Sequence, residues 1–529
     1  MSQELDYLSN CVTAGQLSRR EFLGRAMALG LSAAFANSLL VATATAQAPR
    51  KGGILRAGLQ SGQATDTLDP AHVTGRSLVT FGKCWGELLM DVTPDGALEY
   101  RIAEEIVSSK DVKTWTMKIR KGILFHNGKE VTPQDVVATL ERHSDKDSKS
   151  DAYGSMQGIN SIKADGGNVV ITLKDPNADL PYLLTAFNLI IQPNGGKDNP
   201  GAGISAGPYK VTRFEPGVGY GGEKFKDYWQ GDKLGHADQI EVIIINDDTA
   251  RISALQGNQV HMIDRVGPKI VDLLKRVPGV TIQNVAGRAC YVFNMFCDTA
   301  PFDNNELRMA LKLATNREEM LEKILRGYGS VGNDFPINEA YPLFPDGIEQ
   351  RAYDPDQAKF HYQKSGHSGP ILLRTSDVAF PGAVDAAQLY QQSCAKAGIA
   401  IEVKREPSDG YWSEVWKKQP FMMSYWPGLS TQDQMYSTAY QSAAPWNDTR
   451  FFNEKFDKLL IEARGELDQS KRKTLYHEMA IIVRDEGGVI APMFNQYIDA
   501  TGRGVQGFIK HPSRDMGNGY ALTQCWLDG

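Results

Sequence analysis

The sequence holds little of what metal, redox and nucleophilic chemistry need. Of 529 residues only 6 are cysteine and 9 histidine; no Cys-x-x-Cys and no His-x-x-x-His occurs, which removes zinc and dithiol sites of ordinary spacing. Gly201-Ala202-Gly203 and Gly219-Tyr220-Gly221-Gly222 are glycine-rich, but neither pattern follows a strand and opens a helix, as a phosphate cradle must. No strand-to-helix elbow is read that raises a serine nucleophile. His126, in Phe125-His126-Asn127-Gly128, reads as a structural residue of a turn. The sequence thus offers no catalytic residue, no metal ligand and no cofactor site. Charge of one sign is scarce too: 57 basic against 63 acidic residues leave a net −6, well mixed, and exclude a nucleic-acid footprint.

What is present begins at the N-terminus. Ser18-Arg19-Arg20-Glu21-Phe22-Leu23 precedes an uncharged run from Ala26 to Ala46 that is rich in Ala, Ser and Thr and closes on Ala44-Thr45-Ala46. This is the pattern of a twin-arginine export signal. Cleavage is expected after Ala46, since a cut after Ala48 puts Pro49 beside the scissile bond. Cys11 lies before the arginine pair, so it cannot be a lipid-attachment cysteine. The expectation is a periplasmic protein that is not a lipoprotein, with residues 1–46 removed and 483 of the 529 remaining. Five cysteines stay with it: Cys84, Cys290, Cys297, Cys394 and Cys525. They read mostly as buried small hydrophobes, and a bridge between two distant ones remains compatible with the sequence.

After Lys51-Gly52-Gly53 the pattern is α/β, in one intertwined body. Val169–Leu173, Ile240–Ile245 and Ile399–Val403 read as strands. Thr132-Pro133-Gln134-Asp135 supplies a capping hydroxyl, a proline at the first helical position and an acid three residues after the cap. Leu307, Ala310, Leu311 and Ala314 keep helical spacing, and Asn316 with Glu319 opens a second helix expected to run to Gly327. Asp354-Pro355, Phe456–Ala463 and Leu475–Ile482 mark three more.

One stretch is conspicuously aromatic. Tyr411, Trp412, Trp416, Phe421, Tyr425, Trp426, Tyr436, Tyr440 and Trp446 fall within 36 residues. Rigid faces with polar tips suit a cleft that encloses a small polar solute, and any single one of them can equally be core.

The block from Ile102-Ala103-Glu104-Glu105 through Trp115, Lys121-Gly122-Ile123 and Phe125-His126-Asn127-Gly128 to Val131-Thr132-Pro133-Gln134-Asp135-Val136-Val137 resembles the signature region of family 5 extracellular solute-binding proteins. Thr67-Leu68-Asp69-Pro70, Ala206-Gly207-Pro208-Tyr209, Arg251–Gly257, Phe293-Asn294, Pro301-Phe302-Asp303 and Tyr353–Ala358 follow in family order. The resemblance implies a two-lobe periplasmic-binding-protein fold with an extra N-terminal subdomain, of the cluster C type. Lobe one is then about residues 47–288 plus the returning segment 495–529, the subdomain about 78–204, and lobe two about 289–494. The crossings near Ala289–Asn294 and Ala491–Gln496 make the hinge.

The implied function is a non-enzymatic receptor that captures a small-molecule or peptide ligand and delivers it to the permease subunits of an ABC importer, as a monomer. A sensory binding protein, or a secreted enzyme with a cleft active site, are the alternatives. Carrying the family's site residues over shows departures. Where the dipeptide receptors hold the α-amine with an aspartate after Trp-x-Gly, Trp426-Pro427-Gly428 is followed by Leu429; where they hold the carboxylate with arginine, Asp377 stands. An acid in a tryptophan-lined cleft favours a cationic or amino-bearing solute, peptide-like or opine-like. Candidate ligand-binding residues are therefore Thr74, Gly75 and Arg76 from lobe one, Arg76 to receive a carboxylate, and Asp377, Trp412, Tyr425, Trp426, Asp433 and Trp446 from lobe two. Asp433 is open to two readings, a cleft acid or a loop acid.

Overall fold

The computed structural model describes residues 49–73, 75–407 and 410–528. Residues 1–48, where the export leader is expected, and Thr74 therefore lie outside the described residues. Gly52–Gly529 forms one compact unit.

Local chemistry sets the elements. Thr132 caps helix Pro133–Ser144 with a reciprocal capping box to Asp135, as the spacing predicts. Asn304 and Asn316 cap Asn305–Leu313 and Arg317–Lys323, and Asp354 caps Pro355–Ser365. The helix expected to reach Gly327 stops at Lys323: Leu325 is instead drawn into the core and the chain turns back to strand Gly329–Val331. The strands predicted around 169–173, 240–245 and 399–403 are Asn168–Leu173, Gln239–Ile244 and Ile401–Arg405.

Two long strands organise the molecule. Thr281–Met295 and Val489–Thr501 run antiparallel, with their register broken between Ala286 and Cys290. On one side the sheet continues through Met262–Ile263, Ile54–Leu59, Gln239–Ile244, Gly219–Lys224 and Tyr209–Glu215; on the other through Phe421–Trp426, Ile371–Thr375 and Ile401–Arg405. Beyond the break both faces are buried. Alternation sends Tyr291, Phe293 and Met295 into one core and Cys290 and Val292 into another. Ile54–Leu59 pairs in parallel with both neighbours, and its apolar residues pack in a core of their own. A separate four-stranded antiparallel sheet, Ala103–Ser108, Thr114–Ile119, Asn168–Leu173 and Ile159–Asp165 in that order, encloses the core that Val136 and Leu140 of helix Pro133–Ser144 enter.

Buried charges fasten the C-terminal segment to the beginning of the fold. Lys83 pairs with Asp91, and Tyr520 donates to the same carboxylate at 2.5 Å. Arg101 bonds Glu87 at 2.6 Å, and Glu87 also accepts from Tyr228 and Trp229 at 3.0 Å each. Cys84, Cys290, Cys297, Cys394 and Cys525 are all free thiols. Burial pushes Cys290 and Cys394 up to about 12, which makes them inert packing groups at neutral pH. Among the described residues no helix is long and apolar enough to cross a membrane, and no three potential ligands gather for a metal.

Candidate functional site

The aromatic stretch folds into a continuous path of ring contacts. Gly410, at φ +76°, opens the turn Tyr411–Val415, and the Tyr411 hydroxyl donates to the Met423 carbonyl at 2.7 Å, laying the turn against strand Phe421–Trp426. Trp412 then meets Tyr425 edge-on at 5.8 Å and Trp416 at 6.0 Å; Trp416 meets Trp446 at 6.1 Å, and Trp446 meets Trp426 at 6.1 Å. Trp426 is buried, but Trp412, Tyr425 and Trp446 remain 40 %, 43 % and 54 % exposed. Three large aromatic faces held rigidly against water make a surface ready to cover a solute.

The turn after Trp426 is tightly built. Gly428 has φ +80°, and a Cβ there meets the Arg288 backbone and side chain at 2.5–2.9 Å, so only glycine fits. Arg288 donates to the carbonyls of Ala340 at 2.8 Å and Ser430 at 3.0 Å. Tyr497, on the other long strand, has its hydroxyl 3.3 Å from the carbonyls of both Pro427 and Ser513. Its ring lies over Gly287, where a Cβ stands 2.7 Å from it. Gly287 falls inside the register break, which leaves room for the Tyr497 ring.

A charged wall lies near these aromatics. Gly75 precedes helix Arg76–Trp85 as its N-cap and is buried. Arg76 bonds Asp515 at 2.6 Å, and that carboxylate raises its already high pKa further. Asp264, Asp499 and Asp515 are all buried. Burial and Asp515 push Asp264 up to about 6 and Asp499 well above the carboxylate range. Burial works on Asp515 in the same direction, but Arg76, Arg514 and Arg265 outweigh it and hold Asp515 below its ordinary value. Arg265 is exposed, and among the described residues its guanidinium makes no hydrogen bond and no ion pair. It acts electrostatically on Asp515 and on Tyr291, whose phenol burial pushes up to about 12 and which stacks on Phe380 at 4.2 Å. Arg76, Tyr425 and Tyr497 act on the same phenol, and Tyr291 pairs with Tyr425 on the adjacent strand, so the charged wall and the aromatic surface both lie within electrostatic reach of Tyr291.

The structure brings Trp412, Tyr425, Trp426 and Trp446 together and sets Arg76 near them. It places the two sequence-selected acids elsewhere. Asp377 is an exposed partner of Arg405, and Asp433 is buried in the first turn of helix Gln432–Ala439, bonded to Arg464 at 3.0 Å. The acid against the tryptophans is Asp448, which accepts from Trp416 Nε1 at 3.0 Å. Sequence reasoning passed over Asp448 and Arg265, although Asp448 stands only two residues after Trp446. It also passed over Gly203-Ile204-Ser205-Ala206-Gly207, which does spell Gly-x-Ser-x-Gly. Ser205 is fully buried, donates to Ile191 O at 2.7 Å and accepts from Glu87 N at 3.1 Å, so its hydroxyl is structural.

Residues 97–448 match the profile described as bacterial extracellular solute-binding proteins, family 5 Middle. The chain is 26 % identical over 427 residues to the di/tripeptide-binding protein 1 of Pseudomonas aeruginosa, covering 73 % of this chain and 78 % of that one. Against the dipeptide-binding protein of Escherichia coli it is 22 % identical over 456 residues, covering 78 % and 83 %. Among solved structures, AgaA of A. tumefacien R10 in complex with agropinic acid superposes with a TM-score of 0.75 at 23 % identity, covering 90 % of this chain and 99 % of that one.

Proposed function

The chain belongs to the bacterial extracellular solute-binding proteins of family 5, and from that premise we propose that it captures a small peptide-like or opine-like solute, cationic at one group, and delivers it to an ABC permease. Its task is binding rather than catalysis. The observation that carries the solute class is the exposed ring surface of Trp412, Tyr425 and Trp446 lying, like Arg265, within electrostatic reach of Tyr291, in a wall where Arg265 is free to receive a carboxylate. Peptides bound by the Pseudomonas and Escherichia relatives and agropinic acid bound by AgaA belong to the same range of small charged organic solutes.

In this reading lobe one comprises residues 47–288 and 495–529 with the subdomain 78–204, lobe two comprises 289–494, and the two long strands cross between them. Closure brings Arg265 and the tryptophans onto the solute, and the closed shape is what the permease reads. The protein works as a monomer in the periplasm, exported by the twin-arginine route and without a lipid anchor.

Thermal-shift screening of the exported protein against dipeptides, oligopeptides, opines, polyamines and quaternary amines tests this, because a bound solute stabilises in proportion to occupancy. A shift of several degrees with peptides or opines is expected. No shift from any class overturns the proposal.

A further inference from the structure

Behind the path of rings lies a group of buried polar atoms with hydrogen bonds left unmade. Asp448 is 1 % exposed. One carboxylate oxygen accepts from Trp416, and the other has no partner. Both amide atoms of Asn294, the indole N–H of Trp426 and the hydroxyl of Tyr440 are buried and unpartnered as well. These atoms share a neighbourhood. Asn294 and Trp426 point to the same face of the sheet as Cys290 and Val292, because Asn294 pairs with Met422 and Cys290 with Trp426 on adjacent strands. Tyr440 packs in that same core, within electrostatic reach of Asp448 and Cys290, and the Asn294 amide lies beside the Asp448 carboxyl, near enough to favour its ionised form as a hydrogen-bond donor.

Buried polar atoms are almost always bonded, and each one left alone costs about 1–3 kcal/mol. Five such atoms in one patch, beneath a ring surface that faces solvent, hold more bonding capacity than Asn294 and Asp448 can meet between them, which leaves donors and acceptors for a guest. Its composition says which guest. Groups facing Asp448 include Trp416, Asn294, Cys290, Tyr440 and Lys417; the cation among these, Lys417, has its ammonium committed to the Pro445 carbonyl and the Trp416 face. Water can fill hydrogen bonds but gives the carboxylate no counter-charge. A donor-rich cation supplies both, and indole walls add cation–π attraction.

We propose that Asp448 is a specificity-determining residue of this receptor, accepting the amine or guanidinium of the solute's side group beneath Trp416, Trp426 and Trp446. The assignment rests on the receptor function proposed above and names the charged group of its solute. Burial pushes the Asp448 carboxyl up to about 7, so arrival of the cation is what keeps it ionised.

The test uses probe pairs that differ only in charge: lysyl against norleucyl and arginyl against citrullyl di- and tripeptides, and an arginine-derived opine against its citrulline counterpart. Affinities are measured by calorimetry on the full chain expressed with its leader and purified after export. The charged member of at least one pair is expected to bind roughly tenfold tighter or better. Asp448→Asn should erase that preference while leaving the neutral member's affinity unchanged. Trp446→Leu, at a position more than half exposed, should weaken the charged member more than the neutral one. Equal binding of both members to the unaltered protein, or a preference that survives Asp448→Asn, overturns the assignment while the receptor function stands. If none of these probes binds, the solute class proposed above falls, and this assignment falls with it.

Discussion

Lys312 sits in the core with no carboxylate within bonding distance among the described residues. Its ammonium donates to the carbonyls of Arg484 and Gly487 at 2.7 Å each and approaches that of Val483 at 3.5 Å. It thus closes the negative end of helix Gln469–Glu486. Burial pushes its pKa from 10.5 down to about 7, against an opposing pull from Asp334. Between those two values the unfolded chain holds a proton that the folded one has released, so stability rises with pH across that window and the gain is lost as pH falls through 7. Lys312→Met removes this slope. Urea unfolding of the two proteins at pH 6, 8 and 9.5 should show a stability difference that changes steadily with pH, and parallel curves contradict the argument. At this scale the sequence was readable where the chemistry is local. Thr132 and Asp354 announce their helices because a cap needs only the next three residues. Asp448 and Arg265 were not readable, since what marks them is charge left without a counter-charge, and only the folded neighbourhood shows that. Asp433 and Asp377 had the right charge and the right region, but Arg464 and Arg405, distant in sequence, claim them.

At the scale of elements, helix Gln469–Glu486 is also held from outside its own core. Arg472 bonds Asp179, at the N-cap of the short helix Leu180–Leu183, at 2.6 Å with both side chains buried, and also bonds Tyr476 at 2.9 Å. Beside it the Ala178 amide donates to the Arg464 carbonyl at 2.7 Å. A buried pair is costly to break and not very costly to replace as a whole. Asp179→Asn, which leaves the guanidinium without its counter-charge, is expected to destabilise by about 3–5 kcal/mol in denaturant unfolding. Asp179→Leu combined with Arg472→Met should cost clearly less than either single change; a double variant as damaged as the sum contradicts a charge-pair origin. Helices and strands of this kind are legible as periodicity, and their ends less so. The helix after Asn316 stops at Lys323 because the Leu325 side chain is needed in the core, a demand that local spacing does not carry.

Across the whole molecule, the two long strands shift register twice, and at the first shift Gly287 lies under Tyr497. Gly287→Ala sets a methyl group about 2.7 Å from that ring. The ring must move, and with it the link to Pro427 and Ser513. Solute affinity is expected to fall several-fold, with a radius of gyration from solution scattering that no longer contracts fully on binding. Unchanged affinity and contraction separate Tyr497 from closure. The two-lobe architecture was legible through resemblance spread over the chain, whereas the detail of this crossing was not, because a glycine between strands reads the same whether it bends a hinge or merely fits a sheet.

The return of the C-terminal segment also dictates when the fold can finish. Arg76 and its partner Asp515 are 439 residues apart, and Lys83 lies 437 residues before Tyr520. At about 5–20 residues per second, synthesis of that interval takes roughly 20 to 90 seconds. For all of that time Arg76 exists on the ribosome without its counter-charge, whereas Lys83 has Asp91 eight residues on but not yet Tyr520. Completion of the fold is therefore a post-translational event, and a stop codon just before Asp515 yields a chain that has spent nearly the whole synthesis and leaves Arg76 without its counter-charge.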